Sequence, residues 1–299
     1  MSSPEPPTQV EGQLKYHPKF DSLEADTVLR SNENTLYRVP SFVLRSTSAF
    51  FQSLLSLPTS EANTHQHEND DAHPIPIPHP DHQITPVLSM LCGLEIPSWT
   101  SFDQVEEILH LIEEWDAPGP LSIIRSSITA PIFLAEPLRL YAIASHFGWE
   151  DEIKLSSTCT LDLNLYGEEN QEILHRLPPR SLLALMKLHR SRRDTLKAYL
   201  DDPEVFHAGN LMSRICDKCF QEVDNSPWRE LKSRIFWEMD KNAKGDAVGG
   251  WQMEDWLETT ACWNARCKKP GCGHLLYGKT DTLNHLRSCM KRLPQTVEL

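Results

Sequence analysis

Cys216-Asp-Lys-Cys219 puts two thiols on one tight turn, and Cys262, Cys267, Cys272, His274, His285 and Cys289 follow downstream. Six of the eight cysteines therefore lie in the last third of the chain. Zinc takes four such ligands in a tetrahedron, and a short hairpin carrying two cysteines presents two sulfurs at the right bite. Two groupings compete. Cys216, Cys219, Cys267 and Cys272 would close a zinc-ribbon-like site around an intervening helical insert. Cys267, Cys272, His285 and Cys289 would instead make a C-x4-C-x12-H-x3-C finger. The finger wants a large apolar residue three before its histidine, where Thr282 stands and Leu283 is one place out of phase. It would also leave Cys216 and Cys219 without partners unless Cys262 and His274 completed another site. The first set is the predicted ligand set, with a structural zinc as the cofactor. Unmetallated buried thiols are the remaining reading.

Other polar clusters are weaker. His65, His67, His73, His79 and His82 crowd a polar stretch at about 59–80, but no rigid spacing holds them together, so a solvated loop is expected. Asp240-Lys-Asn242-Ala-Lys244-Gly245-Asp246 imitates a calcium loop. It fails where Lys244 replaces an oxygen ligand and Trp251 replaces the closing glutamate, so it reads as a turn. Lys187, His189, Arg190, Arg192, Arg193 and Lys197 share one helical segment and read as its solvated face. The chain carries no phosphate-binding glycine loop and no G-x-S-x-G elbow, and Cys92 sits in an apolar run that suits a core. No enzymatic activity is expected.

The elements that position these residues are legible in outline. Thr27-Val28-Leu29 and Leu36-Tyr37-Val39 read as strands around the turn Ser31-Asn-Glu-Asn34. Ser46 or Ser48 can cap the following helix with Phe50, Phe51, Leu54 and Leu55. Ile75-Pro-Ile77-Pro alternates like an edge strand. Asp103 with Glu106 suggests a capping box, ahead of the stripe Val105, Ile108, Leu109, Ile112 and Trp115. Pro118-Gly119-Pro120 should stop that helix, with a short one over Leu121–Ile128. Helices are predicted to end at Gly148, to begin with Glu150, Asp151 and Glu152, and to run from Pro178-Pro179 through Leu200. Ser226-Pro227 signals a capped helix with Trp228, Leu231, Ile235 and Met239 on its buried stripe.

The formal net charge of −13 over 299 residues opposes general binding of nucleic acid or anionic membranes. No run reaches the roughly 18 apolar residues of a membrane span. The first residues lack the layout of a signal peptide, so an intracellular chain, in cytoplasm or nucleus, with reduced cysteines is expected.

The order of strand, turn, strand and two helices after His17-Pro-Lys-Phe20, with Asp26 just before the first strand, resembles the opening of a BTB/POZ domain. It most resembles fungal BTB proteins that begin with a similar phrase. The helix ending Trp115-Asp-Ala-Pro-Gly119 is similar to the last helical pair of that family. Residues 1–16, rich in Pro, Ser and Glu, read as a disordered tail, and the last part, 206–299, as a Cys-rich domain. The resemblance implies an α+β fold, with a BTB/POZ domain over 17–130 and a helical extension over 131–205. It also implies protein partners, self-association, and an adaptor role toward a cullin ubiquitin ligase. Similar fungal proteins carry a comparable Cys pair and Ala-Cys-Trp segment, which favours the first ligand grouping. Many BTB domains have His-Lys after the second strand, where this chain has Pro40-Ser41. The rival expectation is a transcription-type regulator whose C-terminal metal module contacts DNA through Lys268, Lys269, Lys279, Arg287, Lys291 and Arg292.

Overall fold

A computed structural model describes residues 14–57, 74–96 and 98–298, a mixture of helices with two small sheets, and so an α+β chain. The chain divides into two compact units, residues 1–133 and 134–299.

The first unit starts with β1 (Lys15–Tyr16), β2 (Thr27–Arg30) and β3 (Thr35–Val39), joined later by β4 (Ile75–Pro76). Their order in the sheet is β1-β3-β2-β4. β2 and β3 form the expected antiparallel hairpin, with Val28 opposite Arg38 and Leu29 opposite Tyr37. Asn34 takes the left-handed conformation in its turn (φ 65°), which asparagine tolerates well. β4 is an edge strand running parallel to β2, the one place a sheet accepts proline. The end of the expected disordered tail is a strand instead: Lys15 and Tyr16 pair parallel with Thr35 and Leu36. Two polar-flanked residues carry no strand signature; the open edge of β3 recruits them. Residues 1–13 and 58–73, which hold the rest of that tail and His65, His67 and His73, lie outside the described residues.

Helices α1 (Ser41–Thr47), α2 (Ala49–Leu54), α3 (Asp81–Leu91), α4 (Phe102–Glu114) and α5 (Pro118–Ser127) pack on one another, and α3 is tied to β3 by the Thr35–Asp81 and Tyr37–Thr85 hydrogen bonds. Ser48 caps α2 by accepting from the Phe51 amide. The cap of α4 is Ser101, which accepts from Gln104, so the Asp103–Glu106 start lies two residues too far along. The predicted α4 stripe is buried through Trp115. Pro118 does not merely end α4: it occupies the first turn of α5, where a missing N–H costs nothing. Short α6 (Pro131–Leu134) follows. His79 and His82 face Glu114 and Glu107 at 2.9 and 3.1 Å.

The second unit contains α7 (Pro137–Phe147), α8 (Glu150–Cys159), α9 (Glu168–Arg176), α10 (Pro179–Asp201), α11 (Ser226–Lys241), α12 (Leu257–Asn264) and α13 (Lys279–Lys291), with the ribbon β5 (Ser213–Ile215) and β6 (Glu222–Asp224). Gly148 closes α7 in the left-handed conformation (φ 68°), and three acidic residues open α8, as read. One core joins Leu196 and Leu200 of α10, Trp228, Leu231, Ile235 and Met239 of α11, and Leu283 and Leu286 of α13 to Cys216, Cys262, Cys267 and Cys289.

The cationic face of α10 is corrected at two positions. Arg192 is only 3% exposed and donates to the carbonyls of Ala243, Lys244 and Pro294. His189 is mostly buried; loss of water, then the Arg192 charge, lowers its pKa to about 4. A cationic stripe with small gaps looks solvated in sequence, but three turn carbonyls from distant segments need donors, and Arg192 supplies them.

Candidate metal centre

Two knuckles build the site. β5 leads into Cys216, whose amide donates to the Gln221 carbonyl at 2.8 Å, while the Phe220 amide returns to Cys216 at 2.9 Å. Closing so short a turn forces Phe220 to φ 55°, unusual for an aromatic residue, with its ring 80% exposed. The second knuckle repeats the plan. The Cys267 amide donates to the His274 carbonyl at 2.8 Å, the Cys272 amide donates to the Lys269 carbonyl at 3.0 Å, and Arg266 forms a β-bridge with Leu275. Gly273 is left-handed there (φ 56°). In both knuckles the residue after the second cysteine is left-handed, which turns the pair of sulfurs to one side of the backbone.

The knuckles bring Cys216, Cys219, Cys267 and Cys272 together, with the four sulfurs within 4.8 Å of one another. Sγ of Cys216 lies 3.8 Å from that of Cys272, and Sγ of Cys219 lies 3.5 Å from that of Cys267. A disulfide needs about 2.05 Å. A tetrahedral zinc with Zn–S of about 2.3 Å separates its sulfurs by about 3.8 Å. The observed spacing matches a four-sulfur cage for a metal ion. All four thiols are unbridged.

The electrostatics suit a cation. The amides of Cys219 and Lys218 point at Cys216 and lower its pKa to about 7. Cys267 moves the other way, to about 12. The Lys269 amide pulls it down, but burial and the hydrogen bonds that its own thiol gives to the neighbouring sulfurs outweigh that. Four crowded sulfurs cannot all ionise against each other, whereas a divalent cation among them removes the conflict.

A buried polar frame holds the knuckles. Arg214 donates to the Leu276 carbonyl at 2.6 Å, tying the first hairpin to the segment that follows the second knuckle. Tyr277 donates at 2.8 Å to Asn225, whose amide donates to Ala208 and Leu211. Trp228 donates to Gly209 at 2.9 Å. Lys232, 8% exposed, meets Asp201, Gly209 and Asn210. Sequence reading missed this frame. Ser226 was expected to cap α11, yet it is the first helical residue. Asn225 stands at the cap position and spends its side chain on the frame instead. Asp224 accepts from the Ser226 amide and hydroxyl.

The other candidates stand elsewhere. Among the described residues, the four-cysteine set is the one His/Cys/Asp/Glu group placed to hold a metal. Cys262 is buried in the core, and loss of water raises it to about 12, a neutral thiol. His285 packs edge-on against Phe206 with ring centres 6.0 Å apart, and Cys289 is buried in the core on α13. The alternative finger is therefore not assembled. In the calcium-like loop Asp240 pairs with Arg193, and Lys244 pairs with Asp162 and Asp246. Asn242 accepts from the Lys244 and Gly245 amides, which makes this a turn. No described helix is long and apolar enough to cross a membrane.

The chain matches no protein-family model, and no curated protein matches it either.

Proposed function

We propose that this chain is a non-enzymatic interaction protein whose 134–299 unit is ordered by one structural zinc on Cys216, Cys219, Cys267 and Cys272. The observation that supports this reading is the closed four-sulfur cluster. Catalytic zinc keeps a position open for water or substrate, whereas a cage of four cysteines leaves none. The metal then clips two knuckles far apart in sequence and stabilises the fold around them. Zinc per chain, measured on the purified protein and on Cys267→Ser, tests this. One equivalent that the substitution abolishes supports it; a value near zero in the unsubstituted chain overturns it.

The first unit is, in this reading, a BTB/POZ-like docking domain that self-associates or links clients to a cullin ligase. Its support is the hairpin followed by two helices, with Phe42 of α1 74% exposed on the surface. Affinity purification of the full chain from native lysate tests the adaptor role. Recovery of a cullin with its ring-domain partner supports it; recovery of the chain alone favours a self-associating scaffold.

The DNA-binding alternative loses much of its charge to internal contacts. Lys279 pairs with Glu254 at 3.0 Å, Arg287 donates to the Gly249 carbonyl, and Arg292 lies over Tyr199. A salt series with duplex DNA decides it, since phosphate contacts give steeply salt-dependent affinity.

A further inference from the structure

The two knuckles do more than hold sulfur: their outer sides form the walls of a groove. It has a volume of about 340 Å³, with β6 on one side and Arg266, Lys268 and Lys269 on the other. Val223, Pro227 and Leu276 line it between them.

One wall is a strand with an open edge. Among the described residues β6 pairs with β5 alone, and Arg214 sits opposite Val223. The Cys216–Gln221 and Asn225–Met212 bonds fix the alternation, so residues 221, 223 and 225 point their backbone groups at β5. Glu222 and Asp224 therefore direct their N–H and C=O groups away from β5, on the side that borders the groove. A row of unpaired backbone groups beside an apolar floor is what an added strand requires.

The charge of the groove has a sign. Its carboxylates are engaged: Glu222 accepts from Ser213, and Asp224 is held by the amide and hydroxyl of Ser226. Lys268 and Lys269 are exposed; the charge of Lys268 acts on Asp224, while among the described residues no carboxylate lies at salt-bridge distance from Lys269. The lining sets Arg266, Lys268 and Lys269 against Glu222 and Asp224, so the groove offers strand hydrogen bonds on one side and an excess of cationic groups on the other. A nucleic acid would supply anions but no strand to pair with β6, and it would meet the overall charge of −13.

We propose that this groove binds an extended acidic peptide, which adds as a strand to β6 and places carboxylates against Lys268 and Lys269. The proposal rests on the metal reading in one respect: the ion fixes the spacing between the knuckles that carry the two walls.

The test uses the full chain, with its zinc content measured on each sample. The probe is a fluorescein-labelled octapeptide of alternating glutamate and valine, followed by anisotropy. The controls are its lysine–valine counterpart and a labelled oligothymidine. Saturable binding of the acidic peptide is expected. It should weaken at least tenfold in Lys268→Glu/Lys269→Glu, and likewise in Glu222→Pro, which removes an outward N–H while sparing the β5 bonds. The lysine–valine peptide should not bind. Failure of the acidic peptide to bind, indifference to both variants, or preference for oligothymidine overturns the proposal. A chain that holds zinc and ignores the peptide sinks the groove alone. A chain that lacks zinc yet binds the peptide sinks the metal reading alone.

Discussion

The two units reach stability by different routes. In the first, Tyr37, Val39, Leu44, Phe51, Ile84, Leu88, Leu111 and Trp115 are fully or almost fully buried, and aromatic pairs such as Phe51–Trp115 (4.9 Å) fill the centre. In the second, the core includes four cysteines of the cluster or beside it, and cations stand inside it. Arg192 and Lys232 are both under a tenth exposed, each holding acceptors from segments distant in sequence. An apolar core absorbs volume-conserving swaps by repacking, although truncating a large side chain costs about 2–5 kcal/mol. A core that holds buried charge, and would hold a metal, is left with uncompensated polar groups when one participant leaves.

Metal removal should split the two most sharply. A strong chelator is expected to unfold the 134–299 unit, since structural zinc supplies about 10 kcal/mol or more in small zinc domains. Hydrogen exchange followed by mass spectrometry would show it: protection in α11 and α13 collapses, while protection in β2, β3 and α4 persists. Retained protection in α11 after complete chelation would place the second unit in the same class as the first.

Arg192→Met ranks next. It keeps the length of the side chain but strands the carbonyls of Ala243, Lys244 and Pro294, and breaking a buried charged network costs about 3–5 kcal/mol. Urea denaturation should register the loss in the second unit with zinc still bound. A loss under about 1 kcal/mol would mean that water satisfies those carbonyls and that the charge is dispensable.

What the sequence disclosed follows the same division. The meeting of Cys216, Cys219, Cys267 and Cys272 was legible because each pair is local, and a tetrahedral metal would need two such pairs. The stripes of α4 and α11 were legible because their period is intrinsic to the helix. Arg192, Asn225 and Tyr277 were not, because their roles depend on carbonyls and side chains brought close only by the finished fold. Lys15–Tyr16 fails for a related reason: a two-residue strand is specified by the edge that receives it. Pro118 was read only as a stop, and it also opens α5, since a proline after a helix signals both.

His189 gives the second unit a pH dependence. Unfolded, its imidazole takes a proton near pH 6.5; folded, it does so only near 4, because burial and then Arg192 oppose the charge. The unfolded state therefore binds more protons between those values. Stability is fully present above about 6.5 and declines as pH falls toward 4, by about 3 kcal/mol for a shift of this size. Comparing wild type with His189→Gln isolates the effect, since acid loss of zinc is common to both. A difference between them that stays constant from pH 7 to 4 would show that His189 is not held neutral by the fold.

The smallest effect belongs to the first unit, and it tests whether that unit is free of costly polar contacts. Asp26 receives the Ser41 amide at 2.6 Å and the Ser41 hydroxyl at 2.5 Å. It acts as the cap that Pro40 cannot provide for α1. The Ser41 hydroxyl and then its amide lower the carboxyl pKa, so the contribution is present above the ordinary aspartate range and fades as pH drops through the lowered value. Because Asp26 is exposed, the cap rather than the charge sets the scale: Asp26→Ala should cost about 1 kcal/mol, and Asp26→Asn less, since the amide oxygen still accepts. Chelator should change neither value. A cost above about 3 kcal/mol would mean that the hairpin and α1 depend on this one carboxylate, as the second unit depends on Arg192.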